Sequence, residues 1–225
     1  MGKNVLVTGA TGMIGSLVLK HCLASDEVAS AISLTRRPSG IQHEKLNKVI
    51  IYDFLHLDEN APYLKSVDVV FYCLGVYTGA VDRKTFRTIT VDYPEALGKV
   101  LKEKSPYLKF CLLSGAGADR SEKSRFMFAE DKGTIENRLS EMDFAAFHAF
   151  RPGYIYPVMS RREPNFSYRL MRWLYPAIRF FGPNASIKST ELAEAMVKVG
   201  LNGSELEILE NRDILKITGR QKSSN

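Results

Sequence analysis

The sequence predicts an α/β fold, a doubly wound parallel sheet with a small C-terminal helical extension, and three observations support this fold class. The apolar run Val5–Val7 is followed by a glycine-rich turn and then by apolar residues at helical spacing over residues 13–23. Apolar runs of strand length then alternate with helical patterns along most of the chain. A length of 225 residues suits one domain, in which we expect residues 154–190 to form a variable substrate or lid segment.

Composition and charge exclude an intrinsically disordered chain and limit the ligands and partners that we expect. A hydrophobic content of 45% is enough for a buried core and a charged content of 25% is ordinary, so an intrinsically disordered chain is excluded. The net charge of +6 is compatible with an anionic ligand but does not indicate nucleic acid, and we expect no nucleic-acid partner. We also expect neither a signal peptide nor an integral membrane segment, because no apolar run is long enough to span a bilayer.

The cysteines carry information about the compartment. There are three, without metal-ligand or C-x-x-C spacing, and they fall in apolar stretches: Cys22, Cys73 and Cys111. We therefore expect buried, reduced thiols, no metal site and a cytoplasmic protein.

The glycine-rich turn has the context of a phosphate-binding loop of the Rossmann type. Gly9 would make the sharp turn off the strand, Gly12 would let a pyrophosphate approach the backbone, and Gly15 would let helix and strand pack closely. The first N–H groups of the helix and the positive end of its dipole would then face the phosphates. The alternative is an ordinary tight turn.

The second predicted strand, Ala31–Thr35, ends at Arg36 and Arg37, and this position bears on the choice of cofactor. An acidic residue here usually holds the ribose 2′-hydroxyl of NAD, whereas arginine accommodates a 2′-phosphate. The two arginines therefore favour NADP(H), with NAD(H) as the alternative. They could also form a solvated basic turn.

The remaining elements follow from apolar runs and their boundary signals. Val67–Leu74 is almost continuously apolar, as a central parallel strand must be. A helix is predicted to begin at Asp92, because an N-cap acid, an early proline and then a carboxylate follow in order, and to end before Ser105. The other predicted strands are Lys48–Tyr52, Leu108–Leu113, Ala145–Phe150 and Leu206–Leu209, and the other helices cover residues 124–142 and 189–201, the latter capped by Ser189 or Thr190.

The spacing Thr8-Gly9-x-x-Gly12-x-x-Gly15 resembles the fingerprint of the short-chain dehydrogenase/reductase superfamily, and the resemblance spans nearly the whole chain. Lys132-Gly133, Arg151-Pro152-Gly153 and Leu209-Glu210-Asn211 make the chain similar to the atypical branch that contains the Tat-interacting, oxidoreductase-like proteins. The resemblance implies one NAD(P)-binding Rossmann domain over residues 1–225 and oxidoreductase chemistry.

The resemblance also implies a set of cofactor contacts at the ends of the strands. Asp53 would meet the adenine amino group, although it could equally cap the following turn. The Pro152-Gly153 turn would meet the nicotinamide, with a plain rigid turn as the alternative. The implied cofactor-binding residues are Gly9, Thr11, Gly12, Met13, Ile14, Gly15, Arg36, Arg37, Asp53, Phe54, Leu74, Gly75, Lys132, Pro152, Gly153 and Ile155.

The family's catalytic set is a serine after the fifth strand and a Tyr-x-x-x-Lys pair on the next helix, where the tyrosine gives or takes a proton. Ser114 and Lys132 match the serine and the lysine, but Phe128 stands where the tyrosine should be. If the protein is an enzyme, the acid must be another group, and the candidates are Lys132 itself, Tyr77 and Tyr154.

Three functional hypotheses remain. The first is an NADP(H)-dependent oxidoreductase acting on an unknown small carbonyl or hydroxyl compound. The second is a non-catalytic NADP(H)-binding protein that reports the state of the cofactor to a partner. The third, a nucleic-acid or membrane-surface binder, would use the basic and aromatic segment 161–181, which we instead expect to pack on the core with its arginines outside. The protein could form a homodimer, which the sequence does not decide.

Overall fold

The computed structural model describes residues 2–58, 61–158, 175, 182 and 184–219. Strands and helices alternate along these residues, as the sequence predicts. In chain order the elements are β1 (Lys3–Thr8), α1 (Met13–Ala24), β2 (Val28–Thr35), β3 (Leu46–Ile50), β4 (Val69–Tyr72), α2 (Arg83–Arg87), α3 (Tyr93–Lys104), β5 (Lys109–Leu113), α4 (Met127–Ser140), β6 (Ala146–Arg151), β7 (Tyr154–Tyr156), β8 (Ser186–Lys188), α5 (Ser189–Asn202), β9 (Ile208–Glu210) and α6 (Asn211–Ile217).

Seven strands form one parallel sheet in the order β3-β2-β1-β4-β5-β6-β9, and β7 pairs with β8 in a separate parallel ribbon. The chain runs outward from β1 in one direction and then outward from β4 in the other. A crevice therefore opens between β1 and β4 at their carboxyl ends, which is where doubly wound sheets bind their ligands. The predicted fold class, a Rossmann sheet, is confirmed.

Helices cover both faces of the sheet because the strands alternate their side chains between two cores. Along β1, Val5 and Val7 belong to the core that contains α1 and α5, whereas Leu6 belongs to the core that contains α3 and α4. All three of these side chains have no exposed surface. Both faces of the central strands are thus buried, and only the strand ends reach the surface.

α3 begins directly after Asp92, as predicted, but Asp92 makes no side-chain capping hydrogen bond, because the helical path already begins at Arg83. Asp82 is the cap, since its carboxylate accepts the backbone N–H of Thr85 at 3.0 Å. The helical path then continues through a wider π-helical turn, Thr88–Asp92, into α3. Pro94 explains the wide turn, because proline has no N–H and its ring clashes with the carbonyl four residues earlier in a regular helix.

The C-terminal part differs from the prediction in two respects. The last strand is Ile208–Glu210, and the helix Asn211–Ile217, which follows it without a loop, is the helical extension. Neither Ser189 nor Thr190 caps α5: the N-cap is Lys188, whose backbone N–H donates to the Glu191 carboxylate at 3.0 Å. The basic segment 161–181, apart from residue 175, lies outside the described residues, as do residues 221–225.

Within the described ranges, none of the helices has the length and apolar character needed to cross a bilayer.

Candidate functional site

A cavity of about 460 Å³ opens at the carboxyl ends of the central strands, in the crevice between β1 and β4. This volume is in the range of ligand pockets. We call it the main cavity; it is lined by Gly12, Met13, Ile14, Tyr72, Cys73, Leu74, Gly75, Val76, Tyr77, Thr78, Phe86, Thr90, Leu112, Leu113, Ser114, Lys132, Ile135 and Ile155.

The three glycines of the first turn have the separate structural roles that their spacing predicts. Gly9 has a φ of +66°, and a Cβ there would lie 2.6 Å from the carbonyl oxygen of Cys73. A Cβ on Gly15 would lie 2.3 Å from the carbonyl oxygen of Gly9, so only glycine lets α1 start this close to the turn. Gly12 is less crowded by protein atoms, because a Cβ there would meet only the Gly9 oxygen, at 3.2 Å. The remaining space around it belongs to the main cavity.

The N-terminus of α1 is built to receive an anion. Its N-cap is Gly12, so no side chain caps the helix, and the first-turn residues Met13 and Ile14 line the main cavity. The first N–H groups of a helix have no intrahelical acceptor and carry the positive end of the dipole. Across the cavity, a Cβ on Gly75 would meet nothing within 4 Å, which leaves room beside the backbone. This cradle fits a pyrophosphate group.

A second cavity of about 400 Å³ adjoins the first and shares Leu74 and Val76 with it. We call it the basic cavity; it is further lined by Arg36, Lys84, Thr85, Thr88, Ile89 and Tyr93. Of the two arginines predicted to hold a 2′-phosphate, Arg36 lines this cavity and Arg37 does not. Lys84 was missed by sequence reasoning, because only the early start of α2 brings it opposite the end of β2.

Lys132 and Ser114 lie together in the main cavity. The ammonium Nζ of Lys132 donates to the backbone carbonyl of Ser114 at 2.8 Å, which leaves two of its hydrogens for a ligand, as far as the described residues show. Burial lowers the pKa of Lys132 to about 8, against the opposing effect of the negative charge on Glu136. A lysine that titrates near neutral pH can exchange a proton with a bound group.

The other candidate acids are placed differently. Tyr77 lines the main cavity with Ser114 and Lys132. Tyr154 is not among the lining residues of either cavity, and its ring lies 6.3 Å from that of Tyr175. Phe128 begins the turn of α4 that precedes Lys132, and its ring lies 6.3 Å from that of Phe126, outside the described lining of the main cavity. The structure therefore groups Ser114, Lys132 and Tyr77.

A buried ion cluster lies directly behind Ser114. The hydroxyl of Ser114 donates to Oε1 of Glu136 at 2.5 Å. The carboxylate also accepts Nε and Nη2 of Arg151, at 3.0 and 2.5 Å, and Nε of Arg120, at 3.1 Å. Glu136 has no exposed surface. It was not predicted, although its position one helical turn after Lys132 is a signal that could have indicated it.

A second buried carboxylate holds α2 against α4. The Asp131 side chain has no exposed surface, and it pairs with Arg83, whose Nη2 lies 2.9 Å from Oδ1, and with Arg87, whose Nη1 lies 2.7 Å from Oδ1. Because α2 carries Lys84 and Thr85, this pairing fixes the position of the basic cavity relative to Lys132.

Two of the residues implied to bind the cofactor, Asp53 and Phe54, have other contacts. Asp53 accepts the backbone N–H of Leu55 at 2.9 Å and contacts His56, so the turn-capping interpretation describes its geometry. These contacts lower the pKa of Asp53. Phe54 is 1% exposed and packs against the ring of Tyr93 at 5.4 Å, in the core and outside the lining of both cavities.

The turn after β6 is held by Asn211, whose role the sequence did not indicate. The Asn211 side chain accepts the backbone N–H of Gly153 at 2.8 Å and donates to the carbonyl of Ser186 at 3.0 Å. Pro152 and Gly153 do not line the main cavity, but Ile155 does. This turn therefore positions Ile155.

Comparisons with known proteins agree with this geometry. Residues 5–141 match the "NAD dependent epimerase/dehydratase family". The chain is 30% identical over 226 residues to the protein named HTATIP2 of Rattus norvegicus, which covers 96% of this chain and 89% of that protein. It is 24% identical over 228 residues to "Protein FMP52, mitochondrial" of Eremothecium gossypii, covering 98% and 99% of the two chains. In fold it is similar to UDP-glucuronic acid 4-epimerase from Bacillus cereus in complex with NAD, with a TM-score of 0.70, 16% identity and coverage of 99% of this chain and 86% of that chain.

Proposed function

Because this chain belongs to the NAD dependent epimerase/dehydratase family, we propose that it is an NADP(H)-dependent oxidoreductase acting on a small carbonyl or hydroxyl compound. The observation that carries the proposal is the pair of adjoining cavities. One contains the glycine turn, Ser114 and Lys132, and the other contains Arg36 and Lys84. Together they form an elongated cleft at the topological switch point, which suits a dinucleotide.

The residues present fit such a cofactor part by part. The glycine turn and the start of α1 would hold the pyrophosphate, Arg36 and Lys84 would hold the adenosine 2′-phosphate, and Lys132 would hold the nicotinamide ribose. A bound nicotinamide supplies or accepts a hydride. The protein would then need to hold the substrate and to move one proton, and both tasks fall to side chains of the main cavity.

The glycine turn provides the first test. We expect Gly12→Val to weaken NADPH binding about a hundredfold, because a branched side chain would project into the main cavity where the pyrophosphate is proposed to lie. Titration by fluorescence of the reduced nicotinamide measures the change. Ala24→Val is the control, since Ala24 is exposed at the other end of α1 and lines neither cavity. Equal NADPH affinity of the Gly12→Val variant and the parent would contradict the proposed site.

The basic cavity provides the second test. A charge-assisted hydrogen bond contributes about 1.5–3 kcal/mol, so we expect the parent to prefer NADPH over NADH by roughly tenfold to a hundredfold. Arg36→Ala and Lys84→Ala should each remove much of this preference, whereas Arg37→Ala should leave it nearly unchanged, because Arg37 does not line the cavity. The preference should also fall with rising salt. Equal affinity of the parent for NADPH and NADH would overturn the assignment.

The proton of the proposed reaction would come from Lys132. Phe128, at the position that the resemblance gives to a tyrosine, has no proton to donate. The ammonium of Lys132 faces the main cavity and titrates near pH 8, which suits a group that protonates an alkoxide in one direction and accepts a proton in the other. Tyr77 lines the same cavity and is the second candidate.

Phe128 also favours a second candidate function, a non-catalytic NADP(H)-binding protein that reports the cofactor's state to a partner. The cofactor site would be the same, and only turnover distinguishes the two functions.

We propose a reducing compartment, the cytoplasm, as the setting. The cysteines are free, and burial raises the pKa of the Cys22 thiol to about 12, which keeps it protonated and unreactive. The fungal relative that is named mitochondrial makes the location a question for direct localisation of the tagged protein.

A further inference from the structure

The hydroxyl group of Ser114 is oriented by a buried carboxylate. Its Oγ lies 2.5 Å from Oε1 of Glu136, a length typical of a hydroxyl that donates to a charged acceptor. Glu136 has no exposed surface, and it is contacted by the guanidinium groups of Arg151 and Arg120. A carboxylate paired with two guanidinium groups accepts hydrogen bonds and donates none. The single hydroxyl proton of Ser114 is therefore directed towards Glu136 and away from the main cavity.

We propose that this arrangement makes the main cavity selective for the alcohol member of an alcohol–carbonyl pair, with Glu136 as the positioning residue that sets the preference. Since the serine proton is used on Glu136, Oγ can only accept a hydrogen bond from a ligand. Below its pKa of about 8, the side chain of Lys132 on the same cavity is an ammonium and can only donate. An alcohol satisfies both groups, because its oxygen accepts from Lys132 and its O–H donates to Ser114.

A carbonyl compound satisfies only one of the two groups. Its oxygen accepts from Lys132, and it has no proton to give to Ser114. The difference is one hydrogen bond, which corresponds to a preference for the alcohol of about tenfold. The inference names the substrate class of the site and rests on the proposed function for the identification of the main cavity as the substrate site.

The position of the serine proton can be observed without a substrate. Neutron diffraction from crystals of the protein exchanged into heavy water should show the deuteron of Ser114 on the line from Oγ to Oε1 of Glu136. A deuteron that points into the main cavity would overturn the proposal.

The variant Glu136→Gln tests the role of the carboxylate. With its oxygen at the position of Oε2, a glutamine still accepts Nη2 of Arg151 and Nε of Arg120 and loses only the bond from Nε of Arg151, whereas the opposite orientation loses two bonds. Its amide nitrogen then faces Ser114 and donates to Oγ, so the serine deuteron should turn into the main cavity. Glu210→Gln is the matched control, because Glu210 also pairs with Arg151, with Oε1 3.2 Å from Nη1, but does not contact Ser114. The deuteron should keep its parent position in this control. An unchanged deuteron in Glu136→Gln would contradict the positioning role.

The preference itself is measured with a matched pair of probes, cyclohexanol and cyclohexanone, by ligand-observed NMR on the cofactor-free protein. The parent and Glu210→Gln should bind the alcohol about tenfold more tightly than the ketone. In Glu136→Gln the ratio should fall to one or below, since Ser114 then donates to the ketone. A ratio near one in the parent, or no change in Glu136→Gln, overturns the proposal.

NADPH titration of the same samples separates this inference from the proposed function. If NADPH does not bind while the deuteron position and the probe ratio are as expected, the proposed cofactor is wrong and the alcohol preference of the main cavity is supported. If NADPH binds but the deuteron points into the cavity, the inference alone fails.

Discussion

Alanine in place of Gly133 is expected to lower the free energy of unfolding by about 4 kcal/mol, the largest effect on stability that we expect of one added methyl group. Gly133 lies in α4, and a Cβ there would be 1.8 Å from the carbonyl oxygen of Asp119 and 2.1 Å from its carbon. Both atoms are backbone, so no side chain can rotate away. The segment cannot move easily either, because the N–H of Asp119 donates to the carbonyl of Ala129 at 2.9 Å.

Thermal unfolding followed by circular dichroism measures this effect. For a chain of this length, a loss of about 4 kcal/mol lowers the Tm by roughly 8–16 °C. Gly75→Ala is the control, because a Cβ on Gly75 meets nothing within 4 Å and its φ is not positive. We expect this control to keep the parent Tm. A Gly133→Ala variant as stable as the parent would mean that α4 does not lie this close to the segment after β5.

Methionine in place of Lys132 is expected to remove turnover by roughly 10²–10⁴-fold, the contribution of a positioned general acid. Methionine keeps much of the length of the side chain and loses the proton. Lys132→Arg separates two roles, because arginine keeps the positive charge for the cofactor but does not release its proton. We expect Lys132→Arg to bind NADPH and to be as inactive as Lys132→Met. Turnover is measured by nicotinamide absorbance on a panel of small carbonyl compounds and alcohols.

The pH dependence of turnover is expected to follow the protonation state of Lys132. Because burial lowers the pKa of Lys132 to about 8, the ammonium is the major form below pH 8. Carbonyl reduction should therefore be active below pH 8 and decline as the pH rises through 8, and alcohol oxidation should rise over the same interval. A parent whose turnover survives Lys132→Met and is lost in Tyr77→Phe would make Tyr77 the acid.

Absence of turnover in the parent, with NADPH still bound, would instead support the non-catalytic function. In that case Phe128→Tyr, which places a phenol one helical turn before Lys132, is the variant in which trace activity should appear. We expect weak turnover at best in the parent.

The sequence predicted the centre of the sheet well because each central strand is a continuous run of residues that is apolar on both faces. Val5–Val7 and Val69–Phe71 are continuous buried runs, and the glycine turn at residues 9–15 marks the first crossover. The exact start of α2 and its continuity with α3 were not predicted, because Asp92, Pro94 and Glu95 form a convincing helix start. The earlier cap, Asp82, precedes Arg83–Arg87, a helix of five residues whose arginines pair with Asp131 on a distant element.

The candidate site was predicted where a residue follows a strand end and missed where it depends on packing between distant elements. Ser114, Gly75 and Arg36 follow β5, β4 and β2, and each lines a cavity. Glu136 gains its role from Arg151, fifteen residues later on another element. Local sequence cannot show the contact between Glu136 and Arg151, because the packing of α4 against β6 depends on the order of the strands in the whole sheet. Arg37 differs from Arg36 by one position, and sequence alone could not choose between them.

The wide turn between α2 and α3 has a consequence for how this protein could diverge from its relatives. A π-helical turn contains about one residue more than a regular turn, so the deletion of one residue there would change the register between α2 and α3. One residue corresponds to a rotation of about 100° about the helix axis. A lineage that lost the extra residue and also replaced Pro94 would keep a regular helix over the same stretch, yet Lys84 and Thr85 would turn away from the basic cavity. The proposed cofactor preference would then change through a deletion, with Arg36 and Lys84, the two residues proposed to hold the 2′-phosphate, still encoded.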